Sequence, residues 1–371
     1  MTEPENWLAA LIPEAIRELS AYHVPKPDGI TIKLDANEHP FALSAELAAS
    51  LSRALADVAL HRYPDPSAAA LRARIASRVG VSGDELILGN GSDELIGLVV
   101  AALSAPRAGA ARARIVYPVP TFSVYRIAAL AASVEPVEVA LGPRFVLDVE
   151  ALAASLAGDP RPNLVFLARP NNPTGTLWDR DPILSLIAAC PDIVFVVDEA
   201  YEAYAGDSLL AETRSLDNVV ILRTLSKIGL AALRVGFAIA PPALCAQLEK
   251  LRMPYNLGSL NQCAAHWALG DPWPALVGRC AEVVAERDAL LDAIGQIPGL
   301  DAFASRANLV LFRVTDPRPG AATELWRALA GDGIAVRNLD QPGALSGCLR
   351  VTVGTAAENA AFIAALRRAR S

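Results

Sequence analysis

Between about residues 86 and 240 the chain repeats one pattern: a short apolar run, a polar turn, then a stretch with helical spacing of apolar residues. This constrains the fold more than any other feature. Apolar runs that alternate with helices pair as a mostly parallel sheet, with helices covering both faces. The runs are residues 86–88, 114–117, 134–139, 164–167, 193–197, 219–222 and 236–239. The expected fold class is therefore α/β, a doubly wound sheet. Sites in such sheets lie outside the carboxyl ends of the strands. Ser92, Phe122, Asn172, Asp198 and Lys227 each follow on such a run, so all five are expected along one edge.

The run 219–222 leads into Arg223, Thr224, Leu225, Ser226 and Lys227, with Arg234 seven positions beyond the lysine. A lone lysine in a loop is usually a surface residue. Here two hydroxyls and a guanidinium stand beside it. Together they can hold a phosphate while the amine attacks a carbonyl, as a lysine forming a Schiff base with pyridoxal 5'-phosphate requires.

Run 86–88 enters Gly89, Asn90, Gly91, Ser92, Asp93 and Glu94, and an apolar helix starts at Leu95. The backbone N–H groups of Ser92 and Asp93 would face an anion there, favoured by the helix dipole. Either residue also serves as a plain N-cap. Asp198 closes the most continuous apolar run, where a buried charge is costly unless paired. It either caps a helix or forms an ion pair, or it meets a protonated ring nitrogen. Tyr201 then lies near enough to donate to a phenolate oxygen. Phe122 either packs in the core or stacks on a flat ring. Prolines on both sides of Asn171 and Asn172 fix a side-chain amide in space.

The remaining segments suggest a second unit. Residues 274–294 read as a long helix, and 307–314, 335–337 and 348–353 alternate as strands, with helices at 321–330 and 358–370. That makes a small α+β domain, joined by the N-terminal segment. The expected division is residues 1–44 as an arm and part of the small domain, 45–270 as the large domain and 271–371 as the small one. Residues 7–20, 45–60 and 68–79 have helical spacing. Residues 22–29 carry two prolines and a glycine and read as an extended arm, packed on its own domain or crossing to another subunit. The polar turn Asp35 to Pro40 is a simple loop or a lip over a site. Tyr63 sits in a rigid turn, where packing is its ordinary role. Arg337 and Arg350 lie on strands of the second unit and need partners, from an internal ion pair or from a substrate anion.

Composition narrows the function class. A net charge of -7 argues against a broad nucleic-acid-binding face. Five scattered cysteines without a Cys-x-x-Cys pair, and four dispersed histidines, support neither a disulfide framework nor a metal site. The longest apolar stretch, residues 95–103, is too short to span a bilayer, and the acidic N-terminus lacks the apolar segment of a signal peptide. The expectation is a soluble cytoplasmic protein without nucleic-acid or membrane partners.

Taken in order, seven motifs resemble the series found in histidinol-phosphate aminotransferases. They are Asp35-Ala36-Asn37-Glu38, Arg62-Tyr63-Pro64-Asp65, Gly89-Asn90-Gly91-Ser92-Asp93-Glu94, Asn171-Asn172-Pro173-Thr174-Gly175, Val197-Asp198-Glu199-Ala200-Tyr201, Thr224-Leu225-Ser226-Lys227 and Leu349-Arg350-Val351-Thr352. The match runs from about residue 20 to 365. The resemblance implies a fold-type I pyridoxal-phosphate enzyme working as a homodimer. It implies that Lys227 carries the cofactor and shuttles the proton at the substrate Cα, and that Asp198 keeps the pyridine nitrogen protonated. Asn172 and Tyr201 would bond the ring hydroxyl oxygen, and Phe122 would stack on the ring. Ser92, Asp93, Thr224, Ser226 and Arg234 would hold the phosphate, with Tyr63 reaching in from the partner subunit. Arg350 would hold an α-carboxylate, and Tyr22, Asn37, Tyr255 and Arg337 would contact the substrate or its phosphate.

The implied reaction moves an amino group between L-histidinol phosphate and 2-oxoglutarate. An aromatic-amino-acid aminotransferase and a threonine-phosphate decarboxylase of the same fold are the alternatives. Three departures stand out: His39 where asparagine is usual, Arg169 where a small polar residue is common, and a step from Lys227 to Arg234 one residue shorter than in many members.

Overall fold

The computed structural model describes residues 7, 9–19, 29–158 and 160–370. Strand β1 (Ile32–Leu34) belongs to a second sheet, described below. The first sheet holds β2 (Leu86–Asn90), β3 (Arg114–Val119), β4 (Glu135–Ala140), β5 (Leu164–Ala168), β6 (Val194–Asp198), β7 (Val219–Thr224) and β8 (Val235–Ile239). Their order is β2-β8-β7-β6-β5-β3-β4. All expected runs form strands, and the pairing is mostly parallel.

β8 is the exception: it runs antiparallel to both neighbours, β2 and β7. The link from Thr224 to Val235 explains this. A parallel crossover takes about a dozen residues or more, usually including a helix. The link here is too short, so the chain turns back. The start of β8 therefore lies beside the carboxyl ends of the other strands, and Arg234 comes with it.

Alternate residues of the central strands face opposite cores. Leu164 and Phe166 of β5 pack with Leu95, Val99 and Tyr125 on one side. Val165 and Leu167 pack with Leu152 and Ile183 on the other. All four β5 residues are fully buried, as in a sheet covered on both faces. Register aligns the strand ends: Ala168 pairs with Asp198, and Asp198 with Leu222. The turns that follow β5, β6 and β7 thus leave the sheet at nearly one level.

The second sheet has the order β1-β11-β12-β10-β9, with β9 (Leu300–Ala302), β10 (Leu309–Val314), β11 (Ile334–Asn338) and β12 (Cys348–Thr352). β1 joins parallel to β11, and the other pairs are antiparallel. The helix Trp273–Gly295 leads into this unit.

Several expectations need adjusting. The segment 7–20 is not one helix: the backbone leaves it at Ile12 and Pro13, and a new turn spans Glu14–Arg17 with Pro13 at its N-cap. Proline lacks the N–H an inner helical turn needs. The helix expected over 45–60 stops at Leu55, and Leu60 beyond it is three-quarters exposed. β9, three residues long, gave no run to read. Residues 22–28 of the expected arm, Tyr22 included, lie outside the described residues. Among the described residues no helix is long and apolar enough to cross a membrane.

Candidate active site

A cavity of about 230 Å³ opens where the carboxyl edge of the first sheet meets β11 and β12 of the second. Ser92, Phe122, Asn172, Asp198 and Lys227, the five residues expected at one edge, all line it. Asp93, Tyr201, Thr224, Ser226 and Arg234 do so as well, and Asn37, Arg337 and Arg350 complete it from the other side.

One end of the cavity is built to hold an anion. The helix Gly91–Ala102 begins there with its free N–H groups. Gly91 adopts φ +76°, and its N–H donates to the Arg234 carbonyl (2.8 Å). A β-carbon at Gly91 would lie 2.5 Å from the Arg234 guanidinium, and one at Gly236 would lie 2.5 Å from the Ser92 nitrogen. Both glycines therefore let backbone and guanidinium close on one small volume. Arg234 Nη2 pairs with Asp93 Oδ2 (3.0 Å), and Nη1 lies 3.5 Å from Ser226 Oγ. Thr224 Oγ1 donates to Ser226 Oγ (2.9 Å). Two hydroxyls, a guanidinium and a helix end thus converge.

The floor is Asp198, the last residue of β6, fully enclosed. Strand alternation sends its neighbour Glu199 to the opposite side, where it pairs with Arg223 (2.9 Å) and accepts from Ser208 Oγ (2.8 Å). Among the described residues Asp198 has no such ion pair, and Lys227 acts on it only as a nearby charge. Its Oδ2 accepts from Tyr125 Oη (2.7 Å) and its Oδ1 from the Ala200 N–H (3.1 Å). Burial pushes the carboxyl above its ordinary range, while these two donors pull it down. A carboxylate in that position gains from a cationic N–H placed above it.

Tyr125 was not singled out by sequence. It stands three residues beyond Phe122, and such spacing places two side chains on one face of the chain as a helix begins. Its ring stacks on Phe166 with centroids 4.5 Å apart and meets Phe122 edge-on at 5.8 Å. Phe122 is half-buried at the cavity wall. Lys227 Nζ lies over the Tyr201 ring, 5.4 Å from its centroid.

The facing wall comes from distant parts of the chain. Asn37, at φ +53°, donates from Nδ2 to Tyr201 Oη (2.8 Å) and from its backbone N–H to Thr352 Oγ1 (2.9 Å). Arg350 donates to Asn172 Oδ1 (2.6 Å) and to the Asp35 carbonyl (2.8 Å). Arg337 stands directly across the antiparallel pair from Arg350. Residues opposite one another share a face, so two guanidiniums border one cavity.

Three singled-out residues lie elsewhere. Tyr63 is 81% exposed and stacks on Tyr255, centroids 4.7 Å apart, outside the cavity lining of this chain. Arg169 points away from the cavity. It is wholly buried, donates to the Trp178 carbonyl and pairs with Asp207 (2.9 Å). A larger groove of about 750 Å³ lies behind the cavity, across Ala200 and Thr224. It is lined by the Glu199–Arg223 pair, by Arg78, Glu202 and Arg214, and by apolar side chains, and neither Lys227 nor Asp198 is among its lining residues.

Comparison with known proteins agrees with this geometry. The family model for class I and II aminotransferases matches residues 29–366. "Histidinol-phosphate aminotransferase 2" of Burkholderia pseudomallei is 40% identical over 371 residues, covering 100% of this chain and 99% of its own. The histidinol-phosphate aminotransferase of Chromobacterium violaceum is 40% identical over 96% of this chain and 97% of its own. Among crystal structures, the histidinol-phosphate aminotransferase of Sinorhizobium meliloti in complex with pyridoxal-5'-phosphate superposes with TM-score 0.83. Its identity is 25%, over 96% of this chain and 97% of that one. The fold, the cavity and these matches together place the chain in the class I and II aminotransferase family.

Proposed function

We propose that this chain is a pyridoxal-phosphate-dependent histidinol-phosphate aminotransferase, moving an amino group between L-histidinol phosphate and 2-oxoglutarate. The observation that carries this is the cavity's two ends. A lysine amine and an anion cradle stand on the first sheet, and two facing guanidiniums stand on the second. A substrate with an amine at one end and a phosphate at the other suits that spacing of functions.

The residues present fit the cofactor. Gly91 and Gly236 let the Arg234 guanidinium and the Ser92 N–H close on one small volume that suits a phosphate, and a β-carbon at either would push those groups aside. Among the described residues no salt bridge reaches the buried Asp198, which feels Lys227 only as a nearby charge, and a protonated pyridine nitrogen would supply a direct cationic donor. When bound, pyridoxal phosphate supplies a carbonyl for the amino group and a ring that draws electrons from the substrate Cα.

The chain's own residues then divide the work. The Ser92 and Asp93 amides, Thr224, Ser226 and Arg234 bind the phosphate. Asp198 holds the ring N–H, and Tyr125 keeps Asp198 oriented. Phe122 covers one face of the ring. Asn172 and Tyr201 hold the ring oxygen. Tyr201 accepts from Asn37, which leaves its own hydroxyl hydrogen to point inward. Lys227 Nζ would carry the proton between the substrate Cα and the cofactor carbon that bears the amino nitrogen, one way in the first half-reaction and the other way in the second. Arg350 and Arg337 bind the substrate anion: the α-carboxylate of glutamate in one half-reaction, the phosphate of histidinol phosphate in the other. Asn37 contributes to the substrate pocket of its own chain, Tyr22 is a further substrate contact, and Tyr255, stacked on Tyr63, contributes with it to the partner's cavity.

The working unit is a homodimer in the cytoplasm. The exposed Tyr63–Tyr255 stack, next to exposed Leu60 and Met253, supports a subunit interface that delivers Tyr63 to the partner's cavity. Five unpaired cysteines support a reducing compartment.

Visible absorption of the cofactor-bearing protein tests this. L-Histidinol phosphate, added without a keto acid, should convert the pyridoxal form to the aminated form. No conversion with histidinol phosphate, but conversion with threonine phosphate or an aromatic amino acid, would reassign the substrate.

A further inference from the structure

Lys227 sits on a single tight turn, Ser226–Ile228, that ends at Gly229 in the left-handed region (φ +92°). Few backbone bonds hold such a turn. The Ile228 N–H reaches the Leu225 carbonyl at 3.4 Å, and the Leu225 N–H reaches Val235 at 2.9 Å. The Lys227 carbonyl is instead met by a side chain, Tyr204, whose hydroxyl donates to it.

Tyr204 is 3% exposed and lies on the short helix Glu202–Ala205, one turn after Tyr201. That spacing puts both tyrosines on the side facing the lysine turn. Tyr201 presents its ring beneath the amine, and Tyr204 presents its hydroxyl to the carbonyl behind it. Burial pushes the Tyr204 phenol well above its ordinary range, so it remains a donor throughout the working pH range. Its hydroxyl also neighbours Cys280 and Asn308, and Asn308 donates to the Asn37 carbonyl (3.1 Å). Phenylalanine would fill the same apolar space. A buried hydroxyl costs free energy unless its bond is made, so this one has a specific partner in the lysine turn.

We propose that Tyr204 is a positioning residue for Lys227, fixing the height at which the amine enters the cavity. The idea rests on Lys227 being the reacting amine. A fixed carbonyl leaves the side chain to swing about one anchored Cα. A released one lets the whole turn shift, and shifts of that order cost rate rather than binding.

The test compares wild type with Tyr204→Phe in two ways. Steady-state kinetics of the loaded enzyme should show kcat reduced about tenfold with KM for L-histidinol phosphate changed less than about twofold. Hydrogen exchange of the cofactor-free protein should show faster exchange confined to peptides covering residues 224–230, with Tm nearly unchanged. Unchanged exchange there would overturn the proposal, as would exchange raised throughout the molecule with a lowered Tm. A wild type inactive with histidinol phosphate would count against the proposed substrate, and the exchange comparison would still decide the role of Tyr204.

Discussion

The two walls of the cavity are built on different principles. The wall from the first sheet is a set of strand ends: β2, β5, β6 and β7 each deliver their residues within a few positions of the last paired one. The wall from the second sheet is assembled from the turn after β1, the end of β11 and the middle of β12, and its bonds to the first wall span 164 residues (Asn37 to Tyr201) and 178 residues (Arg350 to Asn172). The first wall suits a permanent cofactor, because its geometry is fixed by a rigid parallel sheet. The second suits a substrate that changes twice per cycle, because its arginines lie on a separate sheet and Arg350 reaches the first wall through its side-chain bond to Asn172.

If that division holds, damage to the first wall lowers kcat or cofactor binding, and damage to the second raises KM. The largest effect is expected for Lys227→Ala: turnover falls by at least about a thousandfold while circular dichroism and Tm stay near wild type. Normal turnover by this variant would remove the basis of the mechanism. Asp198→Asn should follow, with kcat lowered about a hundredfold to a thousandfold and the cofactor still bound, as measured by absorption after dialysis. On the second wall, Arg337→Ala should raise KM for L-histidinol phosphate about tenfold to a hundredfold. Its cofactor affinity should stay unchanged; a loss there would erase the contrast between the walls.

A subtler comparison concerns pH. The Tyr125 hydroxyl holds the Asp198 carboxyl down against the upward push of burial. Tyr125→Phe removes that hold, so the carboxyl moves further up. Ionised Asp198 is the working form, so the acidic limb of the kcat profile should move to higher pH, with the alkaline limb in place. The smallest effect is expected at Tyr63→Phe: cofactor affinity weakened about twofold to tenfold, with monomer fold and Tm unaffected.

The first wall was largely legible in the sequence. Ser92, Asn172, Asp198 and Lys227 each follow an apolar run, and the parallel sheet brings such positions to one edge. The reversal of β8 was not read, although the short link before it carries that signal. Tyr125 was missed because its signal is a helical offset from Phe122 rather than a strand end. The second wall was less legible. Arg337 and Arg350 stood out as charges on strands, but their direct opposition depends on register, which no local pattern sets. The Arg350–Asn172 bond joins segments whose meeting depends on how two sheets pack. The Tyr63–Tyr255 stack likewise joins a turn near the start of the first unit to one near its end. Arg169 illustrates the converse: a charge beside a site motif that in fact ties down a neighbouring turn through Asp207.

β1 lies alongside β11, and the Thr31 hydroxyl and its Gly333 partner are 302 positions apart. On the ribosome, β1 thus waits for β11. The seven-stranded sheet can close while synthesis continues, since its final strand ends at Ile239. Asn37 has no Thr352 to hold it, and Asn172 no Arg350, until the closing segment emerges. A nascent chain consequently carries its lysine turn before it has an opposite wall, so the reacting amine is in place before the chain is competent to recognise substrate.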